Sequence, residues 1–172
     1  MSDFPFTDIE TAAQALAAGE YVVLVDDDSP DATGALAGAA EPMTTERLVW
    51  LNRRTTGLVG VPMTVERANA LGLELMVGED EATGRGAFTV SIDLIEGNAT
   101  GSSPADQART IAALARNDLR PDQFARPGHV FPLRARPGGV LKRAGHAEAV
   151  VDLCTVAGVA RVGVVADLAT EA

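Results

Sequence analysis

The chain has 172 residues and a formal net charge of −10 at pH 7, a length typical of one domain and a charge that disfavours nucleic acid and anionic membranes as partners. Hydrophobic residues make up 47% of the sequence and aromatic residues only 4%, so we expect a core built mainly from Ala, Val and Leu. A single cysteine, the absence of any apolar run near the ~20 residues of a membrane span, and an N-terminus without a signal-peptide pattern together predict a cytoplasmic protein.

Helix and strand signals are interleaved along the sequence. A capping box at Thr7-x-x-Glu10 begins the first helix, which Gly19 ends. Short β-rich runs predict strands at Tyr21–Val25, Gly57–Pro62, Phe88–Ile92 and Val159–Val165. Later helices are predicted to begin at Thr44 or Thr45, at Thr64, at Ser103 and at Gly145. This irregular order predicts a mixed β-sheet with helices on its faces, in a single domain spanning residues 1–172.

An acidic segment follows the first predicted strand directly. It contains Asp26, Asp27, Asp28 and Asp31. Carboxylates at a strand end suit a divalent cation or proton transfer. The alternative is a solvated acidic turn without a ligand.

A segment later in the chain is rich in basic residues, in contrast to the net negative charge of the whole sequence. Five of the 14 basic residues lie between positions 126 and 143, where Arg126–Gly139 also holds three prolines and three glycines. We predict a loop with a short strand there, and guanidinium groups that attract a small anionic or polyhydroxylated ligand. The alternative is that these arginines pair with the many acidic side chains.

A third segment, Arg143-Ala144-Gly145-His146-Ala147-Glu148, stands at a predicted helix N-terminus. Backbone N–H groups at such an end favour phosphate, and His146 and Glu148 are candidates for metal binding and acid–base work. The sequence contains neither a dinucleotide-binding nor a P-loop motif. We interpret Cys154, on an apolar helix face, as a core residue.

These segments together resemble the 3,4-dihydroxy-2-butanone 4-phosphate synthase family of riboflavin biosynthesis, from about Ile9 to Leu168. The resemblance is carried by these motifs: Ala87-Phe88-Thr89-Val90-Ser91-Ile92-Asp93, Thr100-Gly101 with Ala105-Asp106, Arg126-Pro127-Gly128-His129-Val130-Phe131-Pro132-Leu133, Arg136-Pro137-Gly138-Gly139-Val140-Leu141, and Arg143 with Gly145, His146 and Glu148. It implies that family's α+β fold. It also implies the conversion of ribulose 5-phosphate into a four-carbon ketose phosphate and formate, with loss of C4.

The resemblance also implies a site. Mg²⁺ or Mn²⁺ would be held by Asp31 and His146, and Arg143 would hold the phosphate. The implied catalytic residues are Asp31, His129, Glu148 and Asp167. The implied substrate-binding residues are Asp26, Asp27, Thr100, Gly101, Arg126, Arg143 and Gly145. Family members are homodimers with sites at the subunit interface, so a homodimer is expected here.

Several positions depart from the family pattern. Pro30, Ala35 and Ala147 replace an arginine, an aspartate and a threonine, Asp31 and Asp167 replace glutamates, and the sequence ends at Ala172, before the family's C-terminal segment. These departures predict a divergent lyase-type enzyme that enolises, dehydrates or cleaves a small hydroxyketone or related acid, in a specialised pathway. The alternatives are the original ribulose 5-phosphate reaction and a non-catalytic ligand-binding protein.

Overall fold

The secondary structure alternates as the sequence patterns predict. A computed structural model of the chain describes residues 6–26, 34–78 and 86–168. In chain order the elements are α1 (Ile9–Ala17), β1 (Val22–Val25), β2 (Gly34–Ala39), α2 (Thr45–Asn52), β3 (Gly60–Met63), α3 (Val65–Ala70), β4 (Ile92–Leu94), α4 (Pro104–Leu114), β5 (Phe124–Arg134), α5 (His146–Val156) and β6 (Gly163–Asp167), with 3₁₀ turns at Pro121–Gln123 and Gly139–Leu141.

Most predicted helix starts are confirmed by the caps. Thr44, Thr64 and Ser103 each accept a hydrogen bond from the backbone N–H three residues later, which satisfies a donor that the first turn leaves unpaired. Only the capping box at Thr7 is wrong. Asp8 is the N-cap of α1, and its carboxylate accepts the Thr11 N–H at 2.7 Å.

The strands form one mixed sheet, as predicted. Over the described parts of the chain its order is β1-β2-β6-β3-β5-β4. The β3–β5 pair is parallel, and each other neighbouring pair is antiparallel. Helices α1 and α5 share one apolar cluster with β2, while α2 and α4 pack in a second cluster with β6. The sheet is therefore covered by helices on both faces.

The predicted strands differ from the observed ones at five places. The sequence patterns missed β2, because its run Gly-Ala-Leu-Ala-Gly-Ala has low intrinsic β-propensity. Segment 126–139 was interpreted as a loop with a short strand, but β5 runs through Phe124–Arg134. The three remaining corrections are shifts along the chain: β3 covers Gly60–Met63, β4 covers Ile92–Leu94 and β6 covers Gly163–Asp167.

A register shift reconciles β5 with one of its prolines, Pro127. Ile92 pairs with Val130, whereas the next residue, Asp93, pairs with Ala125. The intervening residues of β5 leave the ladder, so Pro127 need not donate a ladder hydrogen bond. None of the described helices is long and apolar enough to cross a membrane.

Candidate active site

The registers of three central strands place two predicted site residues, Asp167 and His129, toward one end of the sheet. Gly60 of β3 pairs with Val165 of β6 on one side and with Phe131 of β5 on the other. Asp167 follows Val165 by two residues and His129 precedes Phe131 by two. Because β6 runs antiparallel and β5 parallel to β3, Asp167 and His129 both lie toward the end of the sheet at which β3 begins.

The acidic segment is anchored at this end as well. Asp26 directly follows β1, whose last residue, Val25, pairs with Gly34. In the next register position Ala35 pairs with Asp167. The predicted site residues Asp27 and Asp31 lie outside the described residues. The described residues on either side of segment 27–33 are Asp26 and Gly34. Both therefore lie at the same end of the sheet as Asp167.

A cavity of about 300 Å³ opens beside β6 and the start of α5. Its polar lining comes from Thr56, Arg143, His146 and Asp167, and its apolar lining includes Leu58, Phe88, Leu133, Ala147 and Val165. This volume stands at the lower limit of ~300–1,000 Å³ for small-molecule sites. The cavity therefore suits a small polar metabolite.

His146 is the first residue of α5, and its side chain lines the cavity. Its Nε2 is buried and has no hydrogen-bond partner in the part of the chain that the structure describes. Its Nδ1 lies 3.8 Å from Asp167 Oδ1. A buried polar atom without a partner is costly unless a ligand satisfies it. Nε2 of His146 therefore fits a metal ion or a donor group of a substrate, although no cluster of three or more metal-ligating side chains occurs among the described residues.

Arg143 is held beside the cavity by the buried carboxylate of Glu148. Arg143 Nη1 donates to Glu148 Oε2 at 2.8 Å, and the Arg136 N–H donates to Glu148 Oε1 at 2.8 Å. The Glu148 side chain is only 2% exposed. Both of its oxygens are thus engaged by the protein, so the geometry makes Glu148 the support of Arg143. Its predicted catalytic role stays a prediction.

Gly145 allows this ion pair to approach the N-terminus of α5. A Cβ at position 145 would lie 2.6 Å from both Arg143 Nη1 and Glu148 Oε2. Any side chain would therefore displace the ion pair. This close approach explains why glycine stands directly before His146.

His129 forms a pair with an aspartate that the sequence interpretation did not select. Asp93 Oδ2 lies 2.7 Å from His129 Nδ1, and Asp93 Oδ1 accepts the His129 backbone N–H at 2.9 Å. The Asp93 side chain is 12% exposed, and that of His129 is 47% exposed. An aspartate on Nδ1 orients the imidazole and leaves Nε2 for a ligand. The signal in the sequence was Asp93 at the end of the Ala87–Asp93 motif.

Thr100 and Gly101 occupy the turn before α4. Thr100 is exposed, and its hydroxyl lies 2.9 Å from that of Ser102. Gly101 is buried and has a φ of +79°, a conformation that favours glycine. Its N–H donates to Asp106 Oδ2 at 3.1 Å. Thr100 is therefore the member of this pair whose side chain can reach a ligand.

Arg126 is used within the fold. Its guanidinium donates to the carbonyl oxygens of Pro121 at 2.9 Å, Phe124 at 3.1 Å and Leu71 at 2.7 Å. These bonds fasten the start of β5 to the end of α3. The substrate-binding role predicted for Arg126 is untested, and its contacts indicate a structural one.

Known proteins share this architecture. The family model for 3,4-dihydroxy-2-butanone 4-phosphate synthase matches residues 10–172. The 3,4-dihydroxy-2-butanone 4-phosphate synthase of Agrobacterium fabrum is 44% identical over 163 residues, which cover 95% of this chain and 76% of that protein. The crystal structure of the Candida albicans synthase superposes with a TM-score of 0.88 at 41% identity, covering 96% of this chain and 82% of that one. A synthase structure in complex with two magnesium ions gives a TM-score of 0.90 at 40% identity, covering 97% and 79%.

Proposed function

The chain belongs to the 3,4-dihydroxy-2-butanone 4-phosphate synthase family, and we propose that it converts ribulose 5-phosphate into 3,4-dihydroxy-2-butanone 4-phosphate and formate. The observation that carries this proposal is the buried Nε2 of His146, which has no hydrogen-bond partner among the described residues, together with the small cavity that His146, Arg143 and Asp167 line. That combination offers a ligand for a cation, a fixed positive charge for a phosphate and a carboxylate for proton transfer. A lyase-type reaction in riboflavin biosynthesis follows from this assignment.

The residues present fit a divalent cation, Mg²⁺ or Mn²⁺. His146 supplies one nitrogen ligand, and Asp31 is proposed as the carboxylate ligand because its segment begins and ends at the same sheet end. When bound, such a cation stabilises the negative charge that develops on the oxygens of an enediolate. A related synthase structure holds two magnesium ions, which supports this choice of metal.

The remaining side chains divide the work of binding and proton transfer. Arg143 binds the phosphate, and its pairing with Glu148 limits the orientations of the guanidinium. Asp167 is 69% exposed at the cavity and accepts the proton from the carbon next to the carbonyl. Asp93 Oδ2 lies 2.7 Å from His129 Nδ1, and we propose that His129 carries its proton on this nitrogen and exchanges protons through Nε2. Asp26, Asp27, Thr100 and Gly101 are proposed to contact the substrate hydroxyls.

A second candidate function is favoured by two substituted positions, one paired with Asp167 in the sheet and one lining the cavity. Ala35 pairs with Asp167 in the β2–β6 ladder, so the aspartate typical of the family is missing directly beside the proposed base. Ala147 lines the cavity without the hydroxyl that the family's threonine offers to phosphate. A hydrogen bond to a charged group contributes about 1.5–3 kcal/mol. These losses favour enolisation or dehydration of another small hydroxyketone, phosphorylated or not.

The quaternary state and compartment are further parts of the proposal. The protein forms a homodimer, and the apolar side chains of Leu58 and Leu141, 51% and 92% exposed, offer surface for a second copy. Sedimentation equilibrium tests the dimer, which a monomer at micromolar concentration would contradict. The cytoplasm remains the predicted compartment, because the single cysteine suits a reducing environment.

Formate release tests the proposed reaction. Purified protein is given ribulose 5-phosphate and Mg²⁺, and formate is measured with a coupled formate dehydrogenase. We expect steady release that chelation abolishes and that His146→Ala lowers by at least ~100-fold, while the exposed-site control Glu41→Gln is unaffected. Absence of formate from folded protein contradicts the proposal. In that case deuterium exchange next to the carbonyl of ribulose or ribulose 5-phosphate in D₂O, followed by NMR, supports the second candidate.

A further inference from the structure

Asp106 stands at the centre of a hydrogen-bond network next to the proposed site. Its Oδ2 accepts the N–H groups of Gly101 at 3.1 Å and Ala99 at 3.3 Å, and its Oδ1 pairs with Arg109 Nη1 at 3.1 Å. The same Arg109 nitrogen donates to Gly97 O at 2.7 Å and to Asn98 Oδ1 at 2.8 Å. One carboxylate and one guanidinium therefore hold the whole 97–101 turn.

The charge of Asp106 is maintained by these contacts. Burial alone would raise the pKa of Asp106, which is 5% exposed. Hydrogen bonds from Gly101, Ser103, Ala99 and Arg109 outweigh that effect, so the pKa lies below its ordinary value. The carboxylate is thus ionised at neutral pH, and charge-assisted hydrogen bonds to the turn are retained.

The 97–101 turn packs against Asp93, the aspartate that orients His129. A Cβ at Gly101 would lie 2.0 Å from Asp93 Oδ2 and 2.4 Å from Asp93 Cγ. The Gly101 backbone is therefore packed directly on the carboxylate whose two oxygens bind the Nδ1 and the backbone N–H of His129. If the 97–101 turn moves, it opens space into which the Asp93 carboxylate can rotate, away from the imidazole of His129.

We propose that Asp106 is a positioning residue, which acts through the 97–101 turn and Asp93 to fix the tautomer and orientation of His129. The inference rests on the proposed function, because it gives His129 a proton-transfer role. Asp106 itself touches no substrate. A misplacement of about 1 Å at a reacting group can cost about 100-fold in rate, so a buried residue two contacts away can control catalysis.

Nitrogen-15 NMR of the imidazoles tests this coupling without any substrate. The chain has two histidines, so His146→Ala assigns the His129 signals by elimination. In the wild-type protein we expect the chemical shifts of a protonated Nδ1 and an unprotonated Nε2. In Asp106→Asn the difference between the two shifts falls by about half, because both tautomers become populated. The matched control is Asp118→Asn, which removes an exposed carboxylate that also pairs with an arginine, and it leaves the shifts unchanged.

Kinetics with ribulose 5-phosphate provide the second readout. Asp106→Asn should lower kcat by about tenfold and change KM by less than about twofold, because orientation of His129 is lost while phosphate binding is kept. Unchanged His129 shifts and unchanged kcat in a folded Asp106→Asn variant would overturn the inference. If instead the wild-type protein releases no formate, the proposed function fails, and the shifts still decide whether Asp106 orients His129.

A second variant carries the test if Asp106→Asn does not fold. Arg109 is 45% exposed, so Arg109→Gln removes the outer half of the network and leaves the buried carboxylate bonded to Gly101 and Ala99. We expect the His129 shifts to change in the same direction by a smaller amount. Shifts identical to wild type in Arg109→Gln overturn the inference on their own.

Discussion

The ion pair between Glu148 and Arg143 is a buried polar contact at the site that a single substitution removes. The substitution Glu148→Ala removes an acceptor that is 2% exposed and leaves the Arg143 guanidinium and the Arg136 N–H without it. Hydrogen bonds to a charged group contribute about 1.5–3 kcal/mol each, and breaking a buried ion pair costs about 3–5 kcal/mol. The Arg143 side chain is 33% exposed, so water can hydrate its guanidinium in the variant. We therefore expect Glu148→Ala to lower the free energy of unfolding by about 3 kcal/mol.

The conservative substitution Glu148→Gln separates charge from shape. Glutamine keeps one acceptor oxygen for the Arg136 N–H but lacks the negative charge that pairs with Arg143. We therefore expect Glu148→Gln to lower the free energy of unfolding by about 1.5–3 kcal/mol. Kinetically, both variants should raise KM for ribulose 5-phosphate more than they lower kcat, because the phosphate contact that we propose for Arg143 would be made in the ground and transition states alike.

Urea unfolding followed by circular dichroism measures the stability change. With a slope of about 1–3 kcal/mol/M, a loss of 3 kcal/mol lowers the midpoint by about 1–3 M. Glu41→Gln, at an exposed position, is the matched control and should shift the midpoint little. A midpoint for Glu148→Ala equal to that of the control would refute the reasoning that this carboxylate is a buried, fully engaged acceptor.

Three further predictions concern stability and reactivity. Because the pKa of Asp106 in the folded protein lies below its ordinary value of 3.8, this carboxylate stabilises the fold at a pH above 3.8. That stability is lost as the pH falls through the folded-state pKa. The acid-unfolding curve of Asp106→Asn should therefore be flatter than that of the wild type below about pH 4, and parallel curves would contradict this prediction. Burial raises the pKa of the Cys154 thiol to about 12, so a disulfide reagent should label the native protein at least ~100-fold more slowly than the urea-unfolded protein; equal rates would show an exposed thiol. Gly128→Ala places a Cβ 2.1 Å from the Ile92 carbonyl carbon and should cost at least ~1–3 kcal/mol, whereas Gly78→Ala, with open space around it, should be nearly neutral in the same urea titration.

Local chemistry made part of the fold predictable. Ser103 is a strong N-cap residue followed by proline, and it caps α4 as expected. The start of α5 at Gly145 and the mixed sheet were also predicted correctly. These features depend on neighbours within a few residues or on simple alternation, which a sequence displays directly.

The missed features depend on contacts between distant segments. Strand β2 is made of Gly, Ala and one Leu, and its strand conformation comes from pairing with β1 and β6 rather than from propensity. Asp93 and His129 are 36 residues apart and meet only because β4 pairs with β5. Arg126 was a reasonable anion ligand by charge, yet the fold brings three carbonyl oxygens to its guanidinium.

The central claim is that this site performs the family's carbon-losing rearrangement. Its most direct test is to incubate the protein and Mg²⁺ with ribulose 5-phosphate labelled with ¹³C at C4 and to follow the label by NMR. We predict that the label appears in formate, with wild-type protein but not with His146→Ala. Label that remains in a five-carbon product, or in unchanged substrate with folded wild-type protein, would contradict the claim and leave enolisation of another hydroxyketone as the function of the site.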